Sequence, residues 1–274
     1  MEEAVEPRAL QYDEKGEGEP IVLVPGGLTG WLSWIPHQAR LASRYRAIRI
    51  QPIHNELGSA GLPGDPGYTA ETEREALRLT LDALDLERPH LVGWSGGGKA
   101  ALEFATEYPD RVRSLALVEP AGYWILEQLG DGLEDVARVN ALVHGLFGRP
   151  VTEDDLADFL ELAGFVNSAQ DARSHPNWAR WLPHRMALSW QGERVDHPER
   201  SVEELARITC PVLLTKGTRT ADWLKRVVDV LGERLPNASI VELDGDHAHH
   251  IQSIDAFLAA LEEQLTRTGE ARMA

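Results

Sequence analysis

Short apolar runs recur along the chain at 21–24, 45–51, 90–94, 114–119, 211–216 and 239–243, and longer stretches between them carry apolar residues every three or four positions. The short runs, bounded by glycine, proline or charged residues, predict buried strands. The longer patterns, at 35–43, 69–86, 96–108, 220–235 and 251–266, predict helices. Strands and helices in alternation connect most economically as parallel βαβ units. The expected fold class is therefore α/β, with a mostly parallel central sheet covered by helices on both faces.

The alternation breaks once. Between about 121 and 207 no strand-like run occurs, and helical patterns such as 133–147 and 152–163 follow one another. This divides the chain into a core, 1–120 and 208–274, and a helical insertion, 121–207. Trp124, Trp178, Trp181 and Trp190 fall in the insertion. They can form its own core or the apolar wall of a substrate pocket, and one or two of each are expected. The Gly/Pro-rich stretch 58–67 reads as a surface loop.

Composition narrows the partners. A chain of 274 residues with 43% hydrophobic positions can bury a full core. With 27 Lys and Arg against 44 Asp and Glu its formal charge is −17, which repels nucleic acid and anionic lipid and does not draw anionic substrates from a distance. A neutral small-molecule substrate is the expectation, with no nucleic acid or membrane partner, and the oligomeric state is left open. The one cysteine, Cys210, cannot form an internal disulfide, and its place before Pro211 suggests a small buried side chain. The first seven residues are acidic, without a basic start or an apolar segment, and no run of eighteen apolar residues occurs, so a cytoplasmic location is expected.

The chemistry concentrates at Gly93-Trp94-Ser95-Gly96-Gly97, which follows the apolar run at 90–92 and opens a helical pattern. A serine on a sharp strand-to-helix turn is held above the end of a sheet, and only small neighbours tolerate the backbone there, hence Gly93 and Gly97. A phosphate-binding loop would need Gly-Lys-Ser/Thr, but Lys99 is followed by Ala100. Ser95 is thus the candidate nucleophile. It requires a histidine base and a carboxylate that fixes the imidazole tautomer. Of ten histidines, His247, in Asp244-Gly245-Asp246-His247, has the right topological place between the last predicted strand and helix.

At these residues the chain resembles the α/β-hydrolase family. The resemblance rests on Pro25-Gly26-Gly27 after the first core strand, the Ser95 turn, and Gly245-Asp246-His247 with Phe257 beyond it. It implies that the insertion is a helical cap and that the amides of Gly27 and Gly96 form an oxyanion hole. Two departures stand out. Pro25 replaces the histidine usual before that loop's glycine, and Thr220 stands where an aspartate usually follows the penultimate strand. Glu119, at the end of the preceding strand, is the preferred acid, since some members take theirs from that position. Asp222 is the alternative, although a helix first turn also explains it. Asp244 and Asp246 read as turn residues, and His249 and His250 as a helix start with no metal site.

The expected activity is that of a serine hydrolase cleaving a neutral, partly hydrophobic carboxylic ester or lactone through an acyl-enzyme, without cofactor or metal. Leu28, His54, Trp94 and Trp124 are the expected substrate contacts. A same-fold carbon–carbon hydrolase, lyase or perhydrolase, and a ligand-binding protein without turnover, are the alternatives. A histidine base implies that activity falls below roughly pH 6 to 7.

Overall fold

The computed structural model describes residues 5–190 and 201–270. Seven strands, β1 (Gln11–Lys15), β2 (Pro20–Val24), β3 (Arg46–Gln51), β4 (His90–Trp94), β5 (Ser114–Val118), β6 (Val212–Gly217) and β7 (Ala238–Leu243), form one sheet in the order β1-β3-β2-β4-β5-β6-β7. All pairs are parallel except β1 with β3. Every apolar run of the sequence is a strand. β1 was not anticipated, because Gln11-Tyr12-Asp13-Glu14-Lys15 has no apolar face, and its charged residues blunt an exposed sheet edge.

Alternate strand residues feed two cores. Val22, Ile48, Leu91, Leu115 and Leu214 pack with α3 (Ala70–Ala83), α4 (Ser95–Glu107) and α10 (Asp222–Arg234) through residues such as Leu77, Phe104 and Val227. Leu23, Ala47, Val92, Ala116 and Leu213 pack on the other face with α1 (Ile35–Leu41) and α12 (Ile254–Glu270) through Leu41, Phe257 and Leu261. With both faces covered, β4 and β5 are buried at every position, which is why they read as unbroken apolar runs.

The segment between β5 and β6 is helical: α5 (Tyr123–Leu129), α6 (Leu133–Leu146), α7 (Glu153–Leu162), the single turns α8 (Ala169–Ala172) and α9 (Trp178–Trp181), and 3-10 turns at Leu182–Trp190 and Val202–Arg207. Its residues 191–200 lie outside the described ones. The Thr152 hydroxyl accepts from the Asp155 amide to start α7, and Arg149 clamps both Asp155 oxygens at 2.7 Å, holding that carboxyl well below the usual carboxylate range. Most of the stretch 58–67 is the surface loop its composition suggests, exposed at 59–63 and 66–67, with Gly58 and Gly64 as its two buried positions. It begins inside α2 (Ile53–Ser59), and Cβ atoms on Gly58 and Gly64 would lie 2.4 Å from Ala187 Cα and 2.1 Å from Ser189 O. Only glycine lets the insertion approach the core so closely there.

Burial also sets an acid limit. His37, on α1, and His90, on β4, are each held down to about 4 from the ordinary 6.5 by loss of solvent. The unfolded chain takes up these protons near pH 6.5 and the folded chain only near 4, so stability is retained above that window and lost as pH falls through it. The loss is expected at about 1.4 kcal/mol per pH unit for each histidine. Urea midpoints between pH 7 and 4.5 should fall accordingly, and His90→Asn should flatten the slope. A midpoint constant over that range contradicts neutral burial.

Candidate active site

β2 and β4 lie side by side in the sheet, yet the chain leaves them toward opposite edges, so their carboxyl ends frame the crevice where α/β sheets place ligands. The loop Pro25-Gly26-Gly27 leaves β2 there, and Ser95 begins α4 directly after β4. Ser95 has φ +53°, a conformation rare for a side-chain-bearing residue and characteristic of a strained turn at a reacting centre. The turn closes because Gly97 has no side chain: a Cβ there would lie 2.2 Å from the Pro25 carbonyl oxygen. A Cβ on Gly96 would lie 3.7 Å from the Gly27 nitrogen, so the two expected oxyanion residues adjoin beside the serine.

The β6–α10 and β7–α11 connections (α11, His249–Gln252) complete the arrangement. His247 Nδ1 meets Glu119 Oε2 at 2.6 Å, with both side chains almost wholly excluded from solvent. Glu119 directly follows β5 with φ +38°, a second strained backbone at this site. A carboxylate so buried must be satisfied by donors. The Gly217 amide donates to Oε1 at 2.6 Å, and the Thr220 hydroxyl to Oε2 at 2.9 Å. Thr220 stands where the resemblance leads one to expect an acid, and here its hydroxyl is a donor to Glu119. An aspartate there would set two carboxylates against each other.

Asp222 is elsewhere: its side chain is 95% exposed and its nearest cation is Lys225, 3.9 Å away. Asp246 caps its own loop through the Ala248 amide and Gln252, and Asp244 pairs with Arg219. His249 Nε2 lies 2.9 Å from the Thr215 hydroxyl, and its Nδ1 faces Glu119 Oε1 at 3.6 Å. No cluster of three metal-ligating side chains occurs among the described residues. Burial pushes the Cys210 thiol up to about 11.

Ser95, Gly96 and His247 line one cavity of about 60 Å³. Its other walls are Val139, Val143, Phe159 and Leu162 from the helical insertion, Trp223 from α10, Tyr123, and Lys99 of α4. Nδ1 of His247 is held on Glu119, and the residue shares this cavity with Ser95. Phe165 sits edge-on to His247, ring centroids 5.1 Å apart, so the insertion also covers the imidazole.

Four expected substrate contacts sit differently. Trp94 faces away from this cavity toward an adjoining cleft of about 370 Å³, and its Nε1 donates to the His247 carbonyl at 2.9 Å. Leu28 is packed in the core, where its carbonyl receives the Asn55 amide at 3.5 Å. His54, on α2, is buried with Glu73 Oε1 at 2.7 Å and Tyr68 beside it, not on the rim. Trp124 is buried in the core between α5 and its neighbours, and the adjacent Tyr123 takes the cavity wall. Trp181 lines the adjoining cleft, and Trp190 packs on Tyr68 at 5.3 Å and donates to the Leu62 carbonyl. Trp223, Tyr123 and Lys99 were not singled out from the sequence. Lys99 was within reach, since the fourth residue after a serine that opens a helix lies on the serine's face.

A model of the alpha/beta hydrolase fold family matches residues 19–253. The chain belongs to that family. It is 35% identical over 168 residues to a 2-hydroxy-6-oxo-2,4-heptadienoate hydrolase of Pseudomonas putida, covering 57% of this chain and only 59% of that relative's length. A pimeloyl-[acyl-carrier protein] methyl ester esterase of Aeromonas hydrophila is 27% identical over 261 residues, 93% of this chain and 98% of that one. The solved enol-lactonase of Burkholderia xenovorans superposes with a TM-score of 0.66 at 22% identity, over 94% of this chain and 96% of that one. This last likeness concerns the fold.

Proposed function

We propose that the protein is a serine hydrolase that cleaves a neutral, partly hydrophobic carboxylic ester or lactone through an acyl-enzyme intermediate. The observation that carries this reading is the buried 2.6 Å contact of His247 Nδ1 with Glu119, on an imidazole that shares its cavity with Ser95. Glu119 holds the imidazole in one tautomer and stabilises the imidazolium. His247 takes the Ser95 proton as the hydroxyl oxygen attacks the acyl carbon. The tetrahedral oxyanion is received by the amides of Gly27 and Gly96, and His247 returns the proton to the leaving alcohol. A water then repeats the sequence on the acyl-enzyme and releases the acid. No step requires a cofactor.

The apolar cavity wall from the insertion supports its role as a cap over a hydrophobic acyl portion. No helix among the described residues is long and apolar enough to cross a membrane. The ester reading is supported by the name of the Aeromonas esterase. The Pseudomonas relative is named for a substrate with a keto group and no ester, so a carbon–carbon hydrolase is the second reading.

A fluorophosphonate probe is expected to label Ser95 stoichiometrically, and nitrophenyl acetate to give a burst of nitrophenol. Absence of both would leave a binding protein. Turnover of a 1,5-diketone in preference to matched esters and lactones would favour the second reading.

A further inference from the structure

Glu119 is faced by two imidazoles. His247 Nδ1 meets its Oε2 at 2.6 Å, and His249 Nδ1 stands 3.6 Å from its Oε1, with all three side chains almost wholly excluded from solvent. The surroundings of His249 determine where its proton sits. Nδ1 lies 3.2 Å from the Asp246 carbonyl oxygen and also faces the carboxylate, and both of these groups only accept. Nδ1 therefore carries the hydrogen. Burial keeps the ring neutral, holding its pKa below the ordinary 6.5 although Glu119 beside it pulls the other way. Nε2 then bears the lone pair, and the Thr215 hydroxyl donates to it at 2.9 Å.

Thr215, at the end of β6, also receives the Glu119 amide on its carbonyl at 3.1 Å. Asp246, the other partner of His249, directly precedes His247 in the chain. His249 thus ties the strand end that holds the backbone of Glu119 to the loop that carries His247. We propose that His249 is a positioning residue, whose Nδ1–H, kept in one tautomer by Thr215, holds that loop and Glu119 in register so that Oε2 is presented to His247. This rests on the serine hydrolase reading above. The bonded partner of Nδ1 is the Asp246 carbonyl. At 3.6 Å its effect on Glu119 is that of an oriented dipole, not of a hydrogen bond. A residue that only fills the core here needs volume and no particular nitrogen, whereas the positioning role needs a donor.

Two variants separate donor from volume. His249→Asn keeps an N–H group near the place of Nδ1 and leaves the rest of the ring's space empty, while His249→Phe keeps a ring and has no donor. On an activated ester His249→Phe is expected to lower kcat about tenfold, the worth of one hydrogen bond, with KM changed by no more than about twofold. His249→Asn should recover most of kcat, whichever variant has the lower unfolding midpoint. In a Glu119→Gln background His249→Phe should cost no more than about twofold further, because it acts through the carboxylate. A loss in the asparagine variant equal to or larger than that in the phenylalanine variant, or a loss undiminished in the Glu119→Gln background, would overturn the assignment. The ring-nitrogen chemical shifts of the wild-type protein at neutral pH need neither substrate nor variant. A protonated Nδ1 and a bare Nε2 are expected on His249, and the opposite tautomer or an imidazolium overturns the assignment even where a variant does not fold. Fluorophosphonate labelling of Ser95 is scored separately. Labelling with kcat unmoved in His249→Phe removes only the role of His249, whereas failure to label removes the hydrolase reading itself.

Discussion

Ser95→Ala and His247→Ala are each expected to lower kcat on an activated ester by about 10⁶-fold, and the double variant by little more than either alone. In the proposed mechanism the two side chains perform one event. Without the imidazole on the shared cavity the hydroxyl keeps its proton, and without the hydroxyl the imidazole has nothing to deprotonate. A residual rate about 10³- to 10⁴-fold above that in water should persist in all three, because none of them alters the oxyanion hole proposed at the amides of Gly27 and Gly96. Single-turnover kinetics on the three purified variants, with unfolding midpoints to verify their folds, decides the matter. Losses that multiply in the double variant would show that the residues act in separate steps, and a Ser95→Ala protein retaining a tenth of its activity would remove the nucleophile.

The fold was legible because its strands are buried on both faces and so appear as continuous apolar runs, as β4 and β5 do. β1 lies on an exposed edge, where the backbone ladder to β3 sets the structure and side chains carry no pattern. The Ser95 turn was legible for a different reason: close packing admits nothing larger than glycine at position 97, so geometry leaves a mark on composition. The cavity walls left no such mark. Trp124 and Trp223 are both helix tryptophans buried in the same core, and nothing local to the sequence tells that only Trp223 also borders the cavity. His54 could pass for a rim residue because nothing local reveals that Glu73, nineteen positions on, encloses it. The Gly/Pro stretch at 58–67 was legible as a surface loop, but the close approach of Gly58 and Gly64 to the insertion was not, because it asks for the same glycines as a free loop does.

Glu119→Gln is expected to lower kcat by about 10⁴-fold with little change in KM, while Asp222→Asn leaves both unchanged within experimental error. In the proposed mechanism the carboxylate, 2.6 Å from Nδ1, fixes the Nδ1–H tautomer of His247 and neutralises the imidazolium that forms as Ser95 reacts. A glutamine fits the same space and keeps an acceptor for the Gly217 amide, so the fold should survive, but its NH₂ group facing Nδ1 favours the opposite tautomer. The lone pair is then directed away from the serine. Asp222 offers no such coupling, because its side chain is almost fully in water, and any effect of its exposed pair with Lys225 on stability is small. Thr220 sharpens the comparison. Its hydroxyl donates to the oxygen that also meets His247, so Thr220→Val should reduce kcat by about tenfold through a less firmly held carboxylate, and Thr220→Ser should restore most of it. If Asp222→Asn abolishes turnover while Glu119→Gln does not, the acid lies in the β6–α10 connection after all, and the buried contact at the end of β5 serves only the fold.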